Sequence, residues 1–276
     1  MNLSDLAARR EDYARDGVML LKDALTPGEL RLAREAYDWS LANPGPSRFN
    51  VMAGTEGRFF TDTSNPRAYE QGYKTFLHGT GLIDAVAALW DVEDVWFLYE
   101  QIFVKEGGET VRTPWHQDTS YAPIDGMHIA AFWICFEPFP ADQSLEFIPG
   151  THHGPLYDGS ALDGADPLRP LYGNGELPLL PDIDGNRDKW NIISYAVEPG
   201  DVVVFHPSVL HGGAGTRPGQ SRHTLTFKVF GPDAVVGKRP DVGAGVKDMP
   251  KKEKAAIPLG QPYSVLGSPR LRSRAA

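Results

Sequence analysis

At 276 residues, 41% of them hydrophobic and 23% charged, the chain has the make-up of an ordinary globular protein with room for one large buried core. A formal net charge of -9 argues against a general nucleic-acid binder, which would carry a basic face. Cys135 is the only cysteine, which excludes an intramolecular disulfide, and no apolar run is long enough to cross a membrane; a cytoplasmic protein without a membrane partner is expected.

Residues 1–94 read as a mainly helical support. Ser4 caps a first helix carrying Leu6 and Tyr13, Gly17 offers its stop, and Val18 to Leu21 is a short apolar strand. Thr26-Pro27-Gly28-Glu29 is a capping box with proline at the first helical position. Behind it Leu30, Ala33, Tyr37 and Leu41 recur at helical spacing until Asn43-Pro44-Gly45. Leu82, Ile83, Val86 and Leu89 mark a further helix that ends before Asp91.

From Val95 the pattern changes to short β-type runs punctuated by Gly and Pro, at 96–105, 113–120, 128–137, 145–148, 192–197, 202–205 and 222–230. The fold expected is mainly β with flanking helices, a sandwich or barrel. Residues 95–231 form its core, interrupted by a Gly-, Pro- and Asp-rich insertion at 154–189 of the kind that serves as a lid or stays irregular. Residues 232–276 read as an extended polar C-terminal extension of the same single domain.

His116 and Asp118 stand two apart in Pro114-Trp115-His116-Gln117-Asp118, so an extended backbone turns both to one side. Alone, such a pair is as compatible with a turn or a surface contact as with a metal site. The best third ligand is His211, delivered beside Gly212 and Gly213 by the run that starts at Pro199-Gly200-Asp201. Two histidines and a carboxylate on one face of an octahedron leave adjacent positions open for a bidentate oxoacid and then O2, which suits iron(II).

Arg222 opens the last strand-like run, in which Leu225, Phe227 and Val229 take one side and Arg222, Thr224 and Thr226 the barrel interior. An inward arginine needs an anionic partner, and the far carboxylate of 2-oxoglutarate supplies one through two parallel hydrogen bonds, with Thr224 beside it. An internal bridge to an aspartate is the competing reading; Arg217 is ascribed to a turn.

Trp115-His116-Gln117-Asp118, the segment from Ser144 to His152 that contains Ile148-Pro149-Gly150-Thr151, and Pro199-Gly200-Asp201 followed by His211 and Arg222 together resemble the phytanoyl-CoA dioxygenase family, over about 100–231. The resemblance implies a double-stranded β-helix (jelly roll, cupin-like) core with the metal in one open end. It also implies that Gln101 and Trp133 touch the 2-oxoglutarate. The activity it implies is that of an iron(II)- and 2-oxoglutarate-dependent dioxygenase, releasing succinate and CO2 and hydroxylating an unactivated C–H bond. Halogenases related to this family carry a small residue where Asp118 stands, which favours hydroxylation here. Desaturation or ring closure remain alternatives.

The substrate expected is a small or medium organic metabolite. Trp115, Tyr121, Tyr99 and Phe103 are candidates for an aromatic wall around it, and Arg58, with Arg67 and Lys74 nearby, for an anion contact; plain packing and solvated charge are the competing readings. His152, His153, His206 and His223 are expected to be structural and Cys135 a small buried hydrophobe. A metal-dependent cupin isomerase or hydrolase would not need Arg222, and a non-catalytic binding barrel would not need the three ligands together. A monomer or homodimer is expected.

Overall fold

The computed structural model describes residues 2–50, 58–107, 110, 112–162, 166–213, 215–240 and 258–272. Helices α1 (Leu3–Ala8), α2 (Arg10–Asp16), α3 (Pro27–Ala42), α4 (Lys74–Gly79) and α5 (Leu82–Trp90) lie in the N-terminal third. Asn2, not Ser4, caps α1: its side-chain oxygen accepts from Ser4 N–H. Gly17 closes α2 with φ +69°, a conformation in which a Cβ would lie 2.5 Å from the His152 ring. Thr26 and Glu29 form the expected reciprocal box at the start of α3.

One large sheet carries β1 (Val18–Leu21), β10 (Val202–Phe205), β7 (Ile129–Cys135), β12 (Arg222–Phe230), β4 (Val95–Glu106), β3 (Arg58–Thr63) and β2 (Phe49–Asn50), in that order. A final strand, β14 (Arg270–Arg272), also pairs with β4. The facing sheet is β5 (Thr113–His116), β11 (Leu210–Gly213), β8 (Leu145–Ile148) and β9 (Ile193–Ser194), and all its pairings are antiparallel. A small ribbon joins β6 (Ile124–Asp125) to β13 (Val235–Val236). Two antiparallel sheets with helices against one of them make the mainly β sandwich that the pattern of short runs implied, in the jelly-roll form that the family resemblance implied.

The period-two alternation of the central strands explains how the layers divide. Leu225, Phe227 and Val229 of β12 pack with Phe132 and Ile134 of β7 against Tyr37, Phe76, Val86 and other helix residues. Phe227 stacks on Phe132 and meets Phe76 edge-on, and burying a side chain of that size contributes roughly 2–3 kcal/mol over leaving it exposed. The opposite side of the large sheet, with Ala131, Trp133, Cys135, Val203 and Phe205, meets Phe147 of the small sheet. That inter-sheet space contains the site.

Several elements differ from the sequence reading. The mainly helical N-terminal part also supplies a strand that the sequence did not mark, β3, which pairs with β4 over Arg58 to Thr63. The run at 113–120 stops as a strand at His116 and turns into a 3-10 helix over Asp118–Tyr121. Leu210–Gly213, outside the strand-like runs of the sequence, is also a strand. The described part of the C-terminal extension is fixed in place: Leu271 joins the helix-side core, and Arg239 donates to the Thr119 and Ile124 carbonyls and pairs with Asp125. These contacts come from isolated residues, which carry no periodicity to read.

Candidate active site

His116 ends β5 and His211 lies directly opposite it on β11, where their rings are 4.2 Å apart. Asp118 starts the 3-10 turn, and its N–H donates to the Pro207 carbonyl at 2.7 Å, which ties the turn to the approach of His211. One ligand atom from each of the three lies within 4.8 Å of the others. Asp118 Oδ1 stands 3.5 Å from His116 Nε2, and Oδ2 stands 3.8 Å from His211 Nε2.

Second partners fix the rings. His116 Nδ1 bonds the Pro114 carbonyl at 2.8 Å and His211 Nδ1 the Val209 carbonyl at 2.9 Å. A carbonyl only accepts, so each Nδ1 carries the hydrogen and each Nε2 presents its lone pair towards the common centre. Burial, followed by the proximity of His116, pushes His211 down to about 3, so its ring is neutral, the form that binds metal. Burial alone would raise the Asp118 carboxyl. Lys228 and the two histidines outweigh that effect and hold it well below the usual carboxylate range. A preset N, O, N donor set with one ionised carboxylate fits iron(II).

Gln117 braces this turn. It is buried, its Nε2 donates to Ser208 O at 2.8 Å and Pro155 O at 3.3 Å, and its Oε1 accepts from Tyr157 N–H at 2.8 Å. The insertion is joined to the same place: Tyr121 donates to Ser160 O, and Tyr172 donates to Ser120 O.

Strand register lays out the rest of the wall as a grid. Cross-strand partners share a face, so β4, β12 and β7 present the rows Phe103–Thr224–Cys135, Gln101–Thr226–Trp133 and Tyr99–Lys228–Ala131. Arg222 and its β4 partner Lys105 lie beyond the Thr224 row, and both are buried. Arg222 Nη1 donates to Gln143 O at 2.7 Å, and its guanidinium lies over the Phe139 ring. Its Nη2 lies 3.8 Å from where a Cβ of Gly213 would stand, in ordinary contact range, which places the guanidinium beside that end of β11. Gly213 is two residues, about 7 Å, beyond His211 on β11, a separation suited to a five-carbon dicarboxylate reaching from metal to guanidinium. Among the described residues, Thr226 Oγ1, Gln143 Oε1 and Ser144 Oγ are buried without a hydrogen-bond partner. Orphaned polar atoms around Arg222 and in the Gln101 row are what a polar co-substrate would satisfy.

The structure thus brings together His116, Asp118 and His211, and puts Gln101, Trp133, Thr224 and Arg222 on the adjoining wall. Tyr121 stands against His116 with ring centroids 5.9 Å apart, and Tyr99 lies under Lys228. Phe103 belongs to the Thr224 row and packs on Phe59. Trp115 is not on the wall: alternation along β5 turns it away from His116, into a cluster with Ile148, Ile183 and Leu210, and its Nε1 donates to Asp184. Arg58 is exposed and pairs with Glu106, while Arg67 is exposed and Lys74 pairs with Glu70 on the same helical segment. None of these three cations is drawn into the triad.

The four remaining histidines singled out in the sequence have structural partners. His152 and His153 reach the Ala14 carbonyl, His206 the Gly126 carbonyl, and His223 bonds Glu137 and Glu106. Cys135 is buried in the inter-sheet cluster.

Two residues escaped the sequence reading. Lys228 is 2% exposed, and its Nζ lies 3.2 Å from Asp118 Oδ2. The alternation that placed Arg222, Thr224 and Thr226 inward continues to Lys228, so the signal was there. Gln117, between the two ligands, gave no signal beyond its position.

Residues 13–224 match the family model described as phytanoyl-CoA dioxygenase (PhyH). The chain is similar to the peroxisomal phytanoyl-CoA dioxygenase of Bos taurus, 32% identical over 110 residues, covering 38% of this chain and 30% of that protein. The match therefore spans under a third of that relative's length. Among solved structures it is similar to SnoN, described as a non-heme alpha ketoglutarate dependent epimerase from nogalamycin biosynthesis, with a TM-score of 0.70, 18% identity and 98% of each chain covered. SnoN has also been solved with Fe3+, alpha ketoglutarate and nogalamycin RO. The carbocyclase SnoK from the same biosynthesis is similar at a TM-score of 0.65 and 17% identity, over 95% of each chain.

Proposed function

Because the chain belongs to the phytanoyl-CoA dioxygenase family of iron- and 2-oxoglutarate-dependent enzymes, we propose that it hydroxylates an unactivated C–H bond of a small or medium organic metabolite. In that reaction substrate, 2-oxoglutarate and O2 give the alcohol, succinate and CO2. The observation that carries the reading is the converging His116–Asp118–His211 set with Arg222 Nη2 about one co-substrate length away along β11.

Iron, when bound, supplies the activation of O2 and the removal of the substrate hydrogen. His116 and His211 present their Nε2 atoms, and Asp118 brings the one negative charge of the donor set. Arg222 fixes the distal carboxylate of 2-oxoglutarate in a buried setting where a guanidinium fork gives both charge and direction. Gln101, Trp133 and Thr224 shape the space between, with the orphaned Thr226 hydroxyl facing into it. Tyr99, Tyr121 and Phe103 border the substrate space. Segment 154–189 acts as the lid, a role supported by the bonds of Tyr157, Ser160 and Tyr172 to the turn that holds Asp118.

The likeness to an epimerase and a carbocyclase keeps ring closure as a second outcome on the same machinery. A metabolite screen that follows succinate release, with 18O2 as the gas, separates the two. Hydroxylation adds one labelled oxygen atom to the product, and ring closure adds none. Asp118→Ala should abolish succinate formation; full retention would remove the aspartate from the site.

A further inference from the structure

Lys228 sits where a lysine is costly. It is among the largest fully buried side chains of the protein, on the inward side of β12, with its ammonium 3.2 Å from Asp118 Oδ2 and 4.6 Å from the Tyr99 ring centre. The Gln101 side-chain oxygen stands at 3.5 Å. Without metal, Lys228 and Asp118 form a neutral buried pair, which is the condition under which such a charge is tolerated.

Metal binding removes that neutrality. Iron(II) brings two positive charges, against one negative charge from Asp118 and one from the chelating carboxylate of 2-oxoglutarate. The distal carboxylate is matched by Arg222. The phenols of Tyr99 and Tyr121 are uncharged at neutral pH. Lys105 stands opposite Arg222, six residues along β12 from Lys228 at the far end of the wall, and so lies outside the balance around Lys228. One buried positive charge is left over, on Lys228, because the carboxylate that balanced it now belongs to the metal. An uncompensated ammonium in a desolvated site is strongly unfavourable.

We propose that the substrate is an organic monoacid whose carboxylate pairs with Lys228, which makes Lys228 a specificity-determining residue next to the metal. This rests on the dioxygenase reading above and names the substrate class within it. One leftover charge fits a carboxylate better than a phosphate ester, which carries close to two. Since the ammonium lies within hydrogen-bond reach of a metal ligand, the acid holds the reacting carbon only a few bonds from itself. In the metal-free protein the same lysine holds Asp118; once metal is bound, it selects the substrate.

The test uses full-length protein loaded with Mn(II) and 2-oxoglutarate without O2, and a panel of aliphatic and aromatic carboxylic acids. Each acid is paired with its primary amide and with a phosphate monoester of similar size. Thermal unfolding and tryptophan fluorescence report binding. At least one acid should raise the unfolding temperature while its amide and phosphate partner do not. Lys228→Met should weaken that acid at least tenfold, while Mn(II) and 2-oxoglutarate bind at least as tightly as in wild type. In the loaded variant the metal supplies the charge Asp118 loses, and Lys228→Gln, which keeps a polar end, provides the same comparison in a second background. Amides or phosphates binding as well as acids, no acid in the panel binding, or undiminished acid affinity in both variants would each overturn the proposal. Failure of Mn(II) and 2-oxoglutarate to bind wild-type protein would instead overturn the dioxygenase reading.

Discussion

Replacing Arg222 by methionine isolates the anchor of the co-substrate from the metal. Arg222 is 5% exposed, its Nη1 donates to Gln143 O, and its Nη2 lies 3.8 Å from where a Cβ of Gly213 would stand. A carboxylate brought there without the cation is a desolvated charge without its partner. Truncating one member of such a buried, hydrogen-bonded charge pair costs about 2–5 kcal/mol, or roughly 30-fold to several-thousand-fold in affinity. The 2-oxoglutarate Kd of Mn(II)-loaded Arg222→Met, measured by calorimetry without O2, should rise within that range, while Mn(II) affinity stays as in wild type. Arg222→Lys, which keeps the charge and loses the fork, should fall between the two. A change of less than about threefold in Arg222→Met would refute the assignment, because loss of a buried charge partner cannot cost so little.

Other outcomes follow from the surroundings of the site. Gln117→Ala removes the brace between Ser208, Pro155 and Tyr157 without touching a ligand; Mn(II) affinity should fall about tenfold with an unchanged far-UV spectrum, as for partners that orient metal ligands. His206 is pushed down to about 4, chiefly by burial, from an ordinary 6.5. Its neutral ring both accepts from Ser208 N–H and donates to Gly126 O, an arrangement that protonation breaks. A depressed folded-state value means the folded protein binds fewer protons than the unfolded chain. The stabilisation is therefore full above pH 6.5 and is lost as the pH falls towards about 4. The urea midpoint of wild type should drop more steeply than that of His206→Asn across this window, and equal slopes would count against the assignment.

How much of this was readable in advance depended on whether local periodicity carried the information. Alternation along β12 gave both of its faces, and the capping box gave the start of α3, because neighbours in the chain decide those features. His116 and Asp118 were readable from an extended backbone, although Asp118 lies one residue past the strand, on a 3-10 turn fixed by the Pro207 carbonyl. Trp115 is next to His116 in sequence, but the same alternation turns it to the other side of β5. Lys228 continues the parity of Arg222, yet a lysine near a strand end is ordinarily solvated, so parity alone does not mark it as buried. β3 could not be read, as its partner β4 is over thirty residues away and supplies the pairing that makes it a strand. Gln117 likewise takes its role from Ser208 and Tyr157, both remote in sequence.

The central claim is that His116, Asp118 and His211 hold iron(II) with 2-oxoglutarate chelated to it. Anaerobic addition of iron(II) and 2-oxoglutarate to the protein tests it directly through the weak visible charge-transfer band of that chelate. The band should grow to saturation at one iron per chain in wild type and be absent when His116 and His211 are both alanine. No band in the wild type, or an equal band in the double variant, would contradict the account.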